Sequence, residues 1–379
     1  MEDHRDLYNA ALEHRRTAYR KAGVNVRYGD QSAELKDIRA EDPDGQGRWS
    51  FCSQQATLRR LDKAFAAFFR RVKAGQKPGF PRFKGRGWFH TVEWPKDGDG
   101  CRWDSQPEHP TSNYVRLQGI GHIRIHQHRP VHGRVKTIGV KREGRRWYVV
   151  LSCDDVPAQP FPAAGAVAGI DMGIASFLTT SDGGTVANPR FLHNRQEELT
   201  EAQRHLAIFP KRTKHRTKTH RAAARKVTAL HAKIRRQRRD HHHKTALALV
   251  RGYDLIAHED LRIANMVKAP APKPDPEQPG VYLANGASAK SGLNRSISDA
   301  GWGVFLTILH AKAESAGRTV IAVEPRNTSR RCPECGHAAK ENRTTQAEFR
   351  CTACGHAAHA DVVGALNILR AGLALCDAA

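Results

Sequence analysis

Ala166-Val167-Ala168-Gly169-Ile170-Asp171-Met172-Gly173 is the stretch on which the fold turns. An apolar run this short, closed by an acid and a glycine, reads as a buried strand leaving a sheet. A second strand, Phe177-Leu178-Thr179-Thr180, follows a tight turn, and Asp182-Gly183-Gly184 closes the hairpin. Farther along, Leu255-Ile256-Ala257-His258-Glu259 repeats the pattern of an apolar strand ending in an acid, and Thr319-Val320-Ile321-Ala322-Val323 adds another strand. The intervals read as helix, 195–251 and Ser298 to Ala316, with a proline-rich, flexible excursion at 268–280. Strands alternating with helices predict an α/β layer.

In such a layer, acids at the carboxyl ends of neighbouring strands converge on one crevice. Asp171 and Glu259 hold such positions, and Asp361 stands just ahead of the apolar helix that begins Val362-Val363-Gly364. Each alone reads equally well as a surface acid or a helix cap. Together they repel unless cations sit between them. Two magnesium ions would relieve that repulsion and also clamp the attacking and leaving oxygens of a phosphodiester.

Just before the third acid lie Cys332-Pro333-Glu334-Cys335 and, after 15 intervening residues, Cys351-Thr352-Ala353-Cys354. This is zinc-ribbon spacing, and Gly336 and Gly355 let the backbone curl round one structural zinc. His337 and His356 are alternative ligands, set aside because four thiolates suffice. Cys52, Cys101, Cys153 and Cys376 have no partner spacing and read as packing residues.

Upstream, residues 1–86 read helical. Leu58, Leu61, Phe65, Phe68 and Phe69 recur at helical spacing, and Arg59, Arg60, Arg70, Arg71 and Lys73 fill the other face. The helix cannot pass Lys77-Pro78-Gly79-Phe80-Pro81-Arg82-Phe83-Lys84. Basic residues interleaved with aromatics suit backbone contact and base stacking, although Phe65, Phe68 and Trp302 read as core. Alternating runs at 114–117, 120–125, 135–140 and 147–151 then predict an antiparallel, barrel-like module.

The chain has 62 Lys+Arg against 38 Asp+Glu, a net charge of +24, and a pI near 10.1. Such an excess excludes indifference to polyanions. Much of it falls in the 195–251 helix, at Lys211, Arg212, Lys214, Arg235 and Arg239 among others, and His241-His242-His243 there reads as solvated or phosphate-facing. No apolar run approaches the roughly 18–20 residues of a membrane span, and Met1-Glu2-Asp3-His4-Arg5-Asp6 lacks a signal-peptide core. The expectation is a cytoplasmic protein working at the nucleoid.

The order of motifs carries a resemblance. Asn9-Ala10-Ala11-Leu12, then Gly169-Ile170-Asp171-Met172-Gly173, His258-Glu259-Asp260-Leu261, Ser298-Asp299-Ala300-Gly301-Trp302, the cysteine pairs, Ala360-Asp361 and Ala365-Leu366-Asn367-Ile368 together resemble TnpB. This is the family of transposon-encoded, RNA-guided DNA endonucleases related to type V CRISPR effectors. The resemblance implies a multi-domain α+β chain. Its RuvC-like (RNase H-like) α/β core would carry an inserted zinc ribbon and follow a helical recognition lobe and an antiparallel β-barrel wedge. It implies the lobe at 1–86, the wedge at 87–163, the nuclease core with its basic helical insertion at 164–327, the ribbon at 328–358, and the third nuclease motif with its helix at 359–379.

On that resemblance Asp171, Glu259 and Asp361 hold catalytic Mg2+, and Cys332, Cys335, Cys351 and Cys354 hold Zn2+. Tyr28, Gln55 and Thr57 lie where the family reads a short motif flanking the target. Arg59, Arg70, Arg82, Lys84, Arg235, Arg239, Arg330 and Arg331 are the further nucleic-acid contacts. The partners implied are a guide RNA from the transposon end and a target DNA, in a monomeric ribonucleoprotein, with base pairing reading sequence and protein reading shape.

The chain departs from the family twice. It opens past the strand and helix with which members usually begin, and it has Val363 where they commonly carry Asn. Two other readings stay open: a nuclease-inactive, RNA-guided repressor, and a compact type V CRISPR effector. A transposase that moves its own element lacks support, because no tyrosine nucleophile sits in an H-x-H setting.

Overall fold

The first 73 residues form three helices, α1 (Glu2–Ala22) and α3 (Phe51–Lys73) with a clear apolar face and α2 (Tyr28–Glu41) burying only Gln31 and Leu35. Gly23, at φ 67°, closes α1 in the left-handed conformation that glycine adopts without strain. Ser50 caps α3, its Oγ accepting from the Ser53 N–H. Their inward faces, Leu7, Tyr8, Leu12, Leu35, Leu58 and Leu61, share one core with strand residues Val92, Trp94, Val115, Leu117 and Ile138. The computed structural model describes residues 1–104, 113–210 and 216–378, and the chain divides into two units, Met1–Pro157 and Ala158–Ala379.

The strands of the first unit are β1 (Thr91–Trp94), β2 (Cys101–Asp104), β3 (Tyr114–Leu117), β4 (Gly121–Arg124), β5 (Arg134–Glu143) and β6 (Arg146–Asp154). Among the described residues they form two antiparallel sheets, β1-β5-β6 and β2-β3-β4. The alternating runs became β3 to β6, and the hairpin turn falls at Gly144 and Arg145 as expected. The four-residue strands β1 and β2, set among Pro95, Asp97, Gly98 and Gly100, escaped the reading because they are too short to show a period.

The second unit runs β7 (Val167–Asp171), β8 (Ser176–Thr180), β9 (Thr185–Ala187), α4 (Gln196–Ala207), α5 (Lys218–Gly252), β10 (Leu255–Glu259), α6 (Ile263–Met266), β11 (Lys273–Pro274) and β12 (Tyr282–Leu283). Then come α7 (Ala287–Ala300), α8 (Trp302–Ala316), β13 (Thr319–Val323), β14 (Glu348–Arg350), β15 (Ala357–His359) and α9 (Ala360–Asp377). Its central sheet has the order β13-β10-β7-β8-β9. β13, β10 and β7 are parallel, and β8 and β9 return antiparallel.

Side-chain alternation divides this sheet into two faces. Ile170 and Ile256 point into a core with Phe177 of β8, Leu249 of α5, and Trp302, Phe305 and Leu309 of α8. Fully burying each such side chain contributes roughly 1.5–3 kcal/mol. The other face, Gly169, Ala257 and Val323, lies under α9. Gly169 is there because nothing larger fits: a Cβ on it would stand 2.1 Å from the Ala365 carbonyl oxygen and 2.6 Å from the Leu369 nitrogen.

Three expectations need correction. The 195–251 helix is two helices, α4 ending at Ala207 and α5 starting at Lys218, with Pro210 between them barring continuation. Lys211, Arg212 and Lys214 lie outside the described residues. The helix placed at Ser298 begins at Ala287 and breaks at Gly301, whose φ of 68° separates α7 from α8. The excursion at 268–280 contains Lys273–Pro274, which pairs with Tyr282–Leu283 as a small hairpin.

Candidate active site

Strand register sets two of the three acids. In the β7–β10 pairing Gly169 lies opposite Ala257, so two residues on, Asp171 and Glu259 end adjacent strands on the same face. That face is the one α9 covers, and Asp361 occupies the first turn of α9, capped by His359. Asp361 is thus helical, rather than ahead of the helix. The close seating of α9 extends to Gly364, where a Cβ would meet the Asp171 Oδ2 at 2.8 Å.

The three carboxyls are half-buried. Burial, then the charges of Glu259 and Asp361, push the Asp171 carboxyl up to about 7, with Arg343 opposing. Glu259 is also raised by burial, against a hydrogen bond in which Thr328 Oγ1 donates to its Oε1 at 2.5 Å. Arg343 Nη2 donates to Asp361 Oδ1 at 3.3 Å. A carboxyl raised by two neighbouring acids would return to its charged form if a divalent ion took the place of the proton.

The four ribbon thiols converge, all within 4.8 Å of one another. Cys332 and Cys354 sulfurs are 3.6 Å apart, Cys335 and Cys351 sulfurs 3.5 Å. A tetrahedral zinc with Zn–S near 2.3 Å demands edges of roughly 3.8 Å, so the cage fits the ion. The two pairs form matching knuckles. Cys332 N donates to His337 O and Gly336 N to Cys332 O, and likewise Cys351 N to His356 O and Gly355 N to Cys351 O. Backbone N–H groups of Cys354 and Ala353 help draw the Cys351 thiol down to about 6, while the neighbouring thiols and burial push Cys335 and Cys354 up, so that without a metal the cluster shares its protons. Neither His337 nor His356 joins the cluster.

Several residues that organise this region went unread. Fully buried Asn342 bridges the knuckles, donating to Arg330 O and His337 O while its Oδ1 accepts from Thr352 N and Oγ1. Asn367 Nδ2 donates to Thr328 O and Arg331 O, both at 2.7 Å, tying the ribbon's entry to α9. Val363, the departure from the family, is buried with Cys332, Phe349, Cys351 and Ala360, where an amide would be out of place. Single polar residues give no periodic signal, in loops or on a helix such as α9, so only the resemblance pointed near Asn367.

In the first unit Arg59 stacks 5.3 Å over the Tyr28 ring, and half-buried Gln55 donates to Ser32 Oγ at 3.0 Å. Thr57 is a correction: it is 4% exposed and its hydroxyl donates to Ser53 O, so it faces the core. Arg70 and Arg82 are exposed. Lys84 is held through its backbone by both amide atoms of Asn9, and burial with nearby Arg60 lowers its ammonium pKa.

In the second unit Arg235, Arg239, Arg330 and Arg331 are exposed. His242 corrects another reading: it is 0% exposed, stacked on Phe177, with Nε2 2.9 Å from Ala300 O, while only His243 faces solvent. Among the unpaired cysteines Cys52 and Cys101 are buried as expected, but Cys376 is exposed. Trp302 is core, whereas Phe65 and Phe68 are half-buried.

A strand-end acid pair, a ribbon and a third acid on the following helix mark a class of mobile-element and CRISPR-type proteins. A family model described as "probable transposase" matches residues 148–269, and one described as "Cas12f1-like, TNB domain" matches 302–368. InsQ of Escherichia coli K12, provisionally named an RNA-guided DNA endonuclease, is 34% identical over 98% of this chain and 87% of its own. A Streptomyces pristinaespiralis protein with the same provisional activity is 31% identical over 97% of this chain and 83% of its own.

The Cas12f1 endodeoxyribonuclease of Sulfoacidibacillus thermotolerans is 53% identical over 57 residues, 15% of this chain and 14% of its own. Among solved structures, a Cas12f1–guide RNA–target DNA complex aligns at TM-score 0.36 and 15% identity, over 97% of this chain and 92% of that one. The chain belongs to the TnpB family of RNA-guided DNA endonucleases.

Proposed function

We propose that Asp171, Glu259 and Asp361 form the cutting site of this RNA-guided endonuclease and hold magnesium there. The observation that carries the reading is the lifted Asp171 carboxyl, raised by burial and by the two other acids together. Bound divalent ions would supply an activated water and stabilise the leaving oxygen. The protein's own part is positional. The β7–β10 register aligns two carboxylates, α9 delivers the third, and Thr328 and Arg343 orient Glu259 and Asp361.

In the same reading the second unit carries a RuvC-like, RNase H-type core. The ribbon binds one structural zinc and steadies the helix bearing Asp361. In the first unit the helices of 1–86 form the recognition lobe, and the strands of 87–163 form the wedge. Tyr28, Gln55 and Arg59 are placed to meet a short motif flanking the target, with Arg70, Arg82 and Lys84 on backbone phosphates. The guide is a transposon-end RNA that pairs with one target strand, and the ribonucleoprotein is monomeric and works at the nucleoid. The relatives named as RNA-guided endonucleases support the partner class.

The test is to purify the full chain with its RNA, sequence that RNA, and offer plasmids that match or mismatch it, with magnesium. Cutting of the matched plasmid alone is expected. Binding without cutting in magnesium would assign the protein to guided repression, and an absence of bound RNA would overturn the reading.

A further inference from the structure

Asp299, part of the Ser298-Asp299-Ala300-Gly301-Trp302 motif, has no place among the cutting acids, yet it is only 8% exposed. Its carboxylate accepts the Leu192 N–H at 2.9 and 3.0 Å and the His193 N–H at 3.3 Å, and pairs with Arg238 Nη2 at 2.9 Å. A buried carboxylate so fully engaged fixes the loop between β9 and α4. Asn188 fixes the other end, donating to Ile174 O at 2.8 Å and accepting from Arg190 N at 3.2 Å. The loop holds Arg190 at φ 46°, a left-handed conformation that costs a non-glycine residue on the order of 1–3 kcal/mol.

These contacts wall a cavity of about 410 Å3. Ile174 and Leu192 line it with apolar surface, Gln196 and Ser296 with amide and hydroxyl groups, and Arg190, His193 and Arg295 with cationic or titratable ones. Asp299 also lines it, but Arg238 neutralises its charge. Among the described residues neither Arg190 nor Arg295 has a carboxylate partner, which leaves the cavity electropositive. Two unpaired guanidinium groups suit a phosphate. The volume suits a small polar molecule with a flat face rather than a duplex.

We propose that this cavity binds one unpaired nucleotide of the bound nucleic acid, its phosphate held by Arg190 and Arg295 and its base set against Ile174 and Leu192. Proteins that read single strands splay bases out into such sites. Ile174 lies just past Asp171 in the chain, so the nucleotide would be held within the unit that carries the cutting acids. The proposal rests on the RNA-guided reading of that unit and names a subsite that the catalytic acids do not supply.

The test is photocrosslinking of the full-length ribonucleoprotein, with thiouridine in its RNA in one arm and thiothymidine in a matched DNA in the other. Adducts on peptides spanning 188–196 or 292–299 are expected, and the arm that yields them names the strand. Arg190→Glu with Arg295→Glu should reduce the adduct about tenfold or more. Gly292→Phe should do the same by filling the mouth; its Cβ meets nothing within 4 Å, so the backbone accepts it. Crosslinks elsewhere, with these peptides unmodified in a complex that still cuts matched DNA, would overturn the pocket and leave the endonuclease reading standing. Unchanged adduct yield in both variants would overturn it too, and an absence of RNA from the purified protein would remove the reading beneath it.

Discussion

In the proposed site Asp171 would face two opposing demands: it must ionise to hold a metal, yet its surroundings favour the proton. Folding lifts its carboxyl from the ordinary 3.8 to about 7, so the native state keeps a proton that the unfolded chain releases. The stability that goes with that proton is complete below pH 4 and is lost as the pH rises through 7. Asp171→Asn should therefore raise metal-free stability at pH 8 by up to about 4 kcal/mol, and the Tm with it. The gain should shrink toward pH 4, as thermal melts in chelator across that range would show. Equal effects at all pH values would mean that the carboxyl is not held protonated.

Gly364 makes a sharper residue-scale case. Gly364→Ala should displace the Asp171 carboxylate, whose Oδ2 would stand 2.8 Å from the new Cβ. Cutting should fall at least tenfold while guide binding holds, measured as single-turnover cleavage beside RNA affinity. At this scale the strand-end positions of Asp171 and Glu259 were legible because apolar runs precede them, and the clustering of the four cysteines because ligand spacing is local. Asn342, Thr328 and Arg343 were not, because contacts between loops leave no periodic trace in sequence.

At the scale of elements, β10 and β13 could be read to the residue and β7 to within one, because each is a short apolar run with firm ends. Helices were less legible. The Arg- and Lys-rich stretch around Pro210 hid a break, and Ala287–Ala300, rich in Ser, Ala and Gly, offered no apolar stripe until it met its neighbours. On the proposed reading, the ribbon is the element whose stability would lie mostly in its zinc. Structural zinc contributes roughly 10–16 kcal/mol in small ribbons, so Cys351→Ser should lose the zinc, with deuterium exchange rising across 332–359. The β7–β10–β13 core should keep its protection, being packed by α5 and α8. Because Val363 and Ala360 lie against the cysteines, the same variant should loosen the turn bearing Asp361 and slow cutting.

Across the whole molecule, a surplus of +24 makes association with nucleic acid a property of the surface rather than of a few residues. If six to ten phosphates are engaged, affinity should drop about 10³–10⁵ between 50 and 200 mM salt, read from filter binding of the guide RNA. A flat salt response would take phosphate contact out of the binding energy. Composition carries this expectation, and nothing in it says which residues would meet the phosphates. The whole-chain account stands on the three carboxylates sharing divalent ions to cut guided DNA. Its most direct test is the cleavage rate of guide-matched DNA against magnesium concentration, for the unaltered protein and for Asp171→Ala, Glu259→Ala and Asp361→Ala. Magnesium-dependent cutting by the unaltered protein, none by the variants, and target binding kept by all four are expected; wild-type cutting by any one variant would contradict the account.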